Sequence, residues 1–461
     1  MSDKNSSTAP SISYVRSQMD PALPAPSSET GVIGWMRKNL FSSITNTIFT
    51  LIAIWLIYMI VPGFLQWSLF DAIWSGADRL ACATIPQGGE LPADWSGACW
   101  PYINAYMKLF IYGRYPDHEL WRVNLVAAMF TIGLIPLLMP SIGFKKENLI
   151  LMLGVFPVIA FILLTGGSLN YSGFLLPNFI MAPSLLKFWI DFIILTAIIV
   201  GIVYALVRAT DSDPAPAVRQ TLFAMGVLAL VMLIISTNFG LEEVETDRWG
   251  GLMLTMVIAV TGIVASLPLG IVLALGRQSE MPIVRLFSVI FIEGWRGVPL
   301  ITVLFMSSVL LPLFLPDGVT FDKLLRALIG VALFSAAYMA EVVRGGLQAI
   351  PKGQYEGAMA VGLSFWQSMR MIILPQALKI VIPGIVNTFI GLFKDTTLVS
   401  IIGLLDVLGM ISSSLSDSKW ATPVQALSGY LFGALLFWVF CFMMSRYSIF
   451  MERKLDTGHK S

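Results

Sequence analysis

Apolar residues in this chain are gathered into long uncharged runs, with the polar residues gathered between them. A bilayer core of about 30 Å takes roughly 20 apolar residues of helix. On that measure the pattern predicts ten membrane spans. The first five run from Thr47 to Leu65, Val123 to Met139, Leu149 to Thr165, Phe188 to Val207 and Thr221 to Gly240. The others run from Gly250 to Gly276, Val289 to Leu315, Leu328 to Val343, Ile380 to Leu405 and Val424 to Ser445. Glu293 and Arg296 interrupt the seventh, and Lys394 and Asp395 the ninth; Glu341 lies near the end of the eighth. The expected fold class is an all-α polytopic membrane protein with about ten transmembrane helices.

Composition agrees with that pattern. Apolar residues make up 56% and charged residues 12% of 461 positions, where a soluble domain is about one-quarter charged. A net charge of +1 and two histidines, His118 and His459, leave no nucleic-acid footprint and no metal site to expect. Basic residues collect in cytoplasmic loops. With the N-terminus inside, Lys145, Lys146, Arg208, Arg219, Arg277, Arg285, Arg344, Lys352, Arg370 and Lys379 all fall inside. The outside set is smaller, and nearly half of it lies in one long loop. Both termini are therefore predicted to be cytoplasmic.

Four regions follow. Residues 1–45, with Pro21, Pro24 and Pro26, read as a disordered cytoplasmic tail without a signal-peptide pattern. Residues 46–245 read as an N-terminal membrane region of about five spans with a periplasmic loop at 66–122. Residues 246–455 carry the sharp motifs, and 456–461 form a short tail. The acidic stretch Glu242, Glu243, Glu245 and Asp247 marks the junction. Asp191 is expected at the membrane interface, and Cys441 reads as packing. Cys82 and Cys99 fall in the periplasmic loop, where disulfides persist. A bridge between them is expected, with two free thiols as the alternative.

The most informative stretch is the loop 345–376. Pro351 ends one helix, Tyr355 to Val361 forms a short one, and Gly362 suits a left-handed stop. Ser364 with Gln367 makes a capping box for a helix that runs to Leu374 and closes at Pro375. Met359, Leu363, Phe365, Trp366 and Met369 leave apolar surface on this loop. Such surface marks either a protein contact or a helix resting on lipid headgroups.

Glu356, Ala358, Gly362, Ile372, Leu374 and Pro375 match the spacing of the EAA loop of bacterial ABC importer permeases. Gly357 stands where that loop has its second alanine. The stretches EGWRGVPL from Glu293, AAYMAEVVRGGLQAIPKGQ from Ala336 and NTFIGLFKDTTLVSIIG from Asn387 resemble the polar amino-acid branch of those permeases. The similarity covers about residues 250 to 455; the long N-terminal half resembles the larger general L-amino-acid permeases of Gram-negative bacteria. The resemblance implies a C-terminal five-helix permease core whose EAA loop is a coupling helix docked on a cytoplasmic ATPase subunit. It implies an ATPase dimer, a second, homologous permease subunit, a periplasmic amino-acid-binding protein and an inner-membrane location. ATP and magnesium would be bound by the ATPase, since the chain has no G-x-x-x-x-G-K-[ST] loop. The permease itself would be no enzyme. An ion-gradient-driven secondary transporter is the alternative, and it would want matched inverted repeats.

Charges within spans cost about 2.5–3.5 kcal/mol each on insertion scales, so they imply partners or a wet cavity. A zwitterionic amino acid needs such a cavity. Glu341 or Asp395 is a candidate to face its ammonium, and Lys394 or Thr396 its carboxylate. Glu293 and Arg296 read as structural charges, and a structural ion-pair network is the competing reading for the whole set.

Overall fold

The computed structural model describes residues 31–167, 175–176, 180–182, 184–208, 213–314 and 321–455. Among these residues there are helices and isolated β-bridges but no strand. Residues 1–72 and 73–461 form two separately compact units.

The first unit holds α1 (Gly31–Asn39) and α2 (Ile44–Leu65). The tail expected to be disordered up to residue 45 is thus helical over Gly31–Asn39, while residues 1–30 lie outside the described set. Arg37 and Lys38 in the last turn of α1 offset the negative end of its dipole. Ser43 caps α2, accepting a hydrogen bond from the Asn46 amide at 3.2 Å.

In the second unit, α3 (Trp100–Tyr112) and α4 (Leu120–Leu138) are followed by α5 (Lys145–Thr165), α6 (Leu185–Arg208) and α7 (Ala215–Ser236). Then come α8 (Gly251–Arg277), α9 (Pro282–Arg296), α10 (Leu300–Phe314) and α11 (Lys323–Ala349). The last are α12 (Lys352–Ala360), α13 (365–380), α14 (Ile382–Asp395), α15 (Val407–Ser414) and α16 (Gln425–Leu455). The tail 456–461 lies outside the described residues. Among the described residues nine helical segments are long and apolar enough to cross a membrane, or ten if α9 and α10 make one span.

The seventh span departs from a straight crossing. It is two helices bent by 102°. Pro299 lacks the amide that would continue α9, and Gly297 closes that helix by donating to the Glu293 carbonyl at 2.9 Å.

The centre of the second unit is α11. Of its most apolar stretch 61% is buried, against 0% for α7. Close approach to α8 depends on small residues: a Cβ on Gly270 would stand 2.7 Å from Met339 Cβ. One buried cluster joins Tyr115, Val123 and Leu164 to Trp249, Leu254, Val331 and Val399. The cluster therefore holds residues from both sides of position 245.

Asp191 lies near the start of α6. It is buried beside Lys187, and its carboxylate accepts from the amides of Leu175 at 2.8 Å and Leu176 at 3.1 Å. Two amide donors meet the need of a buried carboxylate for partners. Cys82 and Cys99 are joined in a disulfide, 17 residues apart. The segment they close is sewn to the core: the Cys99 amide donates to Ser428 Oγ at 2.8 Å, and Tyr106 donates to Asp417.

Candidate functional site

The loop after α11 folds as a helical hairpin with two unlike faces. Ile350 is extended, and Pro351 opens α12. Gly362 adopts φ +77°, which an L side chain resists. Its amide donates to the Met359 carbonyl at 2.9 Å, and that of Leu363 reaches the Ala358 carbonyl at 3.2 Å. Ser364 and Gln367 form the expected capping box: the Ser364 amide donates to Gln367 Oε1 at 2.9 Å, and the Gln367 amide to Ser364 Oγ at 3.4 Å.

The helix that follows corrects the reading of Pro375 as its end. It runs on to Ile380, with Met369–Ile373 wound as a π turn. The Leu374 amide there bonds back five residues, to Met369. A proline ring collides with the carbonyl four residues before it, and widening that turn lets Pro375 stay inside the helix. The π turn also decides which side chains point where. Ala358, Met369, Ile373 and Ala377 are buried, and the last three pack with Met339, Val343, Leu347 and Ile350. Met369, expected on the apolar outer surface, therefore faces inward. Leu363 is half-buried.

The opposite face is apolar and open. Met359, Val361, Phe365, Trp366 and Met371 are exposed, Trp366 at 69%. The Phe365 and Trp366 rings meet edge-on, 5.3 Å between centroids. Among the motif positions, Glu356 and Pro375 are exposed, while Ile372 and Leu374 are half-buried. Gly357 has nothing within 4 Å of a built Cβ, so the missing alanine methyl would have met open space.

Above the hairpin on α11 sits a charge cluster that gathers three helix ends. Glu341 is held by three arginines. Arg277, the last residue of α8, donates through Nη1 to Glu341 Oε1 at 2.8 Å and to Glu293 Oε1 at 2.7 Å. Arg344 donates through Nε at 3.0 Å and Nη2 at 2.7 Å to Glu341 Oε2. Arg296, at the end of α9, lies farther off, with Nη1 at 3.7 Å from Glu341 Oε2 and its guanidinium 5.7 Å from the Tyr338 ring. Both carboxylate oxygens of Glu341 are thus engaged. Glu341 is thus the pivot of an ion-pair network that also takes in Glu293 and Arg296.

Two sets of relatives decide the family. Residues 266–457 match the model of binding-protein-dependent transport system inner membrane components. The inner membrane amino-acid ABC transporter permease protein YhdY of Escherichia coli K12 is 41% identical over 438 residues, 95% of this chain and 97% of its own. The glutamate/glutamine/aspartate/asparagine transport system permease protein BztC of Rhodobacter capsulatus is 43% identical over 458 residues, 97% of this chain and 99% of its own. The chain belongs to the amino-acid permeases of ABC transporters. Among solved structures, a crystal structure of an amino acid ABC transporter with histidines is 27% identical, covering 44% of this permease and 91% of that chain, with a TM-score of 0.39.

The permease is a multi-pass inner-membrane protein, and its family favours ATP-driven import over the ion-gradient alternative. Its full-length relatives carry the N-terminal half as well as the core. The remaining polar candidates of the permease, Lys394, Asp395 and Thr396, are consecutive at the end of α14. Thr396 is buried and donates its hydroxyl to the Phe393 carbonyl at 2.8 Å. Lys394 is exposed and Asp395 half-buried, and among the described residues neither joins the ion-pair network. Arg277 and Arg344 were not among the sequence candidates. A signal existed for Arg344, which stands three residues after Glu341 and so shares its helix face; Arg277 looked like an ordinary loop cation.

Proposed function

We propose that this permease forms part of a translocation path for polar amino acids and is driven by an ATPase dimer gripping the outer face of its hairpin. The observation that carries the reading is the division of that hairpin. One face is locked into α11, and the other presents Met359, Val361, Phe365, Trp366 and Met371 to a partner. Exposed apolar patches of this kind mark protein contacts. A lever must be rigid at one end and held at the other, and this hairpin meets both conditions. The Glu341 cluster lies on the same helix, α11, so motion of the hairpin reaches the ends of α8 and α9 through it.

ATP and magnesium belong to the ATPase on this reading, and the permease has no catalytic residue of its own. The charge bias of the loops favours cytoplasmic termini and a cytoplasmic hairpin. Polar substrates are supported by the name of the BztC relative, and Lys394 with Asp395 is the pair left to meet a zwitterion. A periplasmic binding protein would deliver substrate, and a homologous second permease subunit would complete the path. Driving such a path from one facing state to the other, 1:99 to 99:1, takes about 5.5 kcal/mol of differential binding. Pull-down of the intact permease from membranes tests the reading. A stoichiometric ABC ATPase should come with the wild type and be lost from a Phe365→Asp, Trp366→Asp double variant that still folds. Retention of the ATPase by that variant would refute docking on this face.

A further inference from the structure

The first helix among the described residues, α1, is amphipathic and has no use in the transport reading. At 100° per residue, Trp35, Val32, Met36 and Ile33 share an arc of about 160°, with Arg37 and Lys38 flanking it, about 40° and 60° beyond its two edges. All four apolar side chains are exposed. Exposed surface of this composition is an aggregation hazard in water.

What covers it is indicated by the corner that follows. The amides of Leu40 and Phe41 both close on the Met36 carbonyl, at 2.8 and 3.2 Å. The Leu40 carbonyl accepts from Thr50 Oγ1 of α2 at 2.8 Å. Asn46 Nδ2 donates to Ser42 Oγ at 2.7 Å, and Thr47 Oγ1 to the Ser43 carbonyl at 2.8 Å. Thr50 lies six residues past the start of α2, about 9 Å along it. None of α2 is buried: Ile44, Ile48, Phe49, Ile52 and Trp55 are all exposed, on a helix long and apolar enough to cross a membrane, so lipid is the surface that suits it from its beginning. The end of α1 is therefore tied to a point where α2 is already at the membrane.

We propose that α1 is a membrane-surface anchor, its Val32, Ile33, Trp35 and Met36 face seated at the headgroup boundary of an anionic leaflet with Arg37 and Lys38 on lipid phosphates. The occupant follows from three observations: continuity with the lipid-covered surface of α2, two cations beside the apolar arc, and a tryptophan, whose ring suits the interface. Basic residues beside such a face are drawn to anionic lipid.

Full-length permease carrying Cys441→Ser and one of Ile33→Cys, Met36→Cys or Lys38→Cys tests this. Spin labels on each are compared, under non-reducing conditions, for collision with oxygen and with a water-soluble nickel chelate. In vesicles of phosphatidylcholine with phosphatidylglycerol, labels at 33 and 36 should show an oxygen-to-nickel ratio several-fold above that at 38. In pure phosphatidylcholine, or after Arg37→Glu, that contrast should shrink severalfold. Equal nickel access at all three positions would overturn the anchor. Shielding of 33 and 36 from both probes would mean a protein cover and overturn it too. A contrast indifferent to lipid charge would overturn the anionic assignment.

Discussion

Gly357 and Gly362 stand five positions apart in the motif loop and obey different constraints. Gly362 has a left-handed backbone, which costs an L side chain about 1–2 kcal/mol. Gly362→Val should therefore lower hairpin stability and reduce ATPase stimulation by the binding protein, while Gly362→Asn should be milder. Gly357 sits in a helix with open space around it. Gly357→Ala should leave coupling intact and raise helix stability by about 0.5–1 kcal/mol; a thermal-shift measurement in detergent separates the two cases. Glu341 is a third case. Its removal leaves Arg277, Arg296 and Arg344 facing one another, so Glu341→Ala should lower the thermal midpoint more than Glu293→Ala, which strips one arginine contact.

Asp406 adds a pH dependence. It caps α15 through the Gly409 amide at 2.9 Å while its second oxygen is buried without a partner. Burial pushes its carboxyl up to about 6. A group that holds its proton more tightly folded than unfolded stabilises most below its unfolded pKa, near 4, and loses that stability as pH rises through about 6. Asp406→Asn should flatten this part of the melting-temperature profile between pH 4 and 7 relative to wild type. An identical slope in both proteins would count against the assignment.

At the scale of elements, the spans were legible because burial in lipid demands an uninterrupted apolar helix. The capping box and the Gly362 stop were legible for another reason: both are local chemistry. The π turn at Met369–Ile373 was not, because proline permits two outcomes and only packing against α11 selects between them. That one turn sends Met369 inward and leaves Met371 outside. The 102° break at Gly297–Pro299 was equally hidden in an apolar run, although Pro299 stood in view. The union of α11 with α13 depends on a single small residue: a Cβ on Gly346 would lie 2.6 Å from the Ala377 carbonyl oxygen. Gly346→Val should destabilise by about 1–3 kcal/mol and detach the lever from α11, seen as a lower melting temperature together with lost stimulation.

For the whole molecule, the sequence drew a boundary near residue 245, and within residues 73–461 one buried cluster runs across it. Tyr115 and Leu164 belong to the same buried cluster as Val331 and Val399, contacts between positions too far apart in the chain for periodicity to reveal. The charge cluster was half legible: Glu293, Arg296 and Glu341 stood out as membrane charges, but only the fold brings Arg277 to them. The disulfide was legible from loop placement, and it closes the segment before α3. Cys82→Ser with Cys99→Ser should lower local stability by about 3 kcal/mol on the chain-entropy estimate, raising proteolysis at 83–98 without changing ATPase binding.

One measurement bears most directly on the hairpin as the grip of an ATPase: the ratio of ATPase turnover with and without substrate-loaded binding protein, in a complex reconstituted into vesicles. With Phe365→Ser and Trp366→Ser in an otherwise folded permease, that ratio should fall to near one. A ratio equal to that of the unaltered protein would contradict the account.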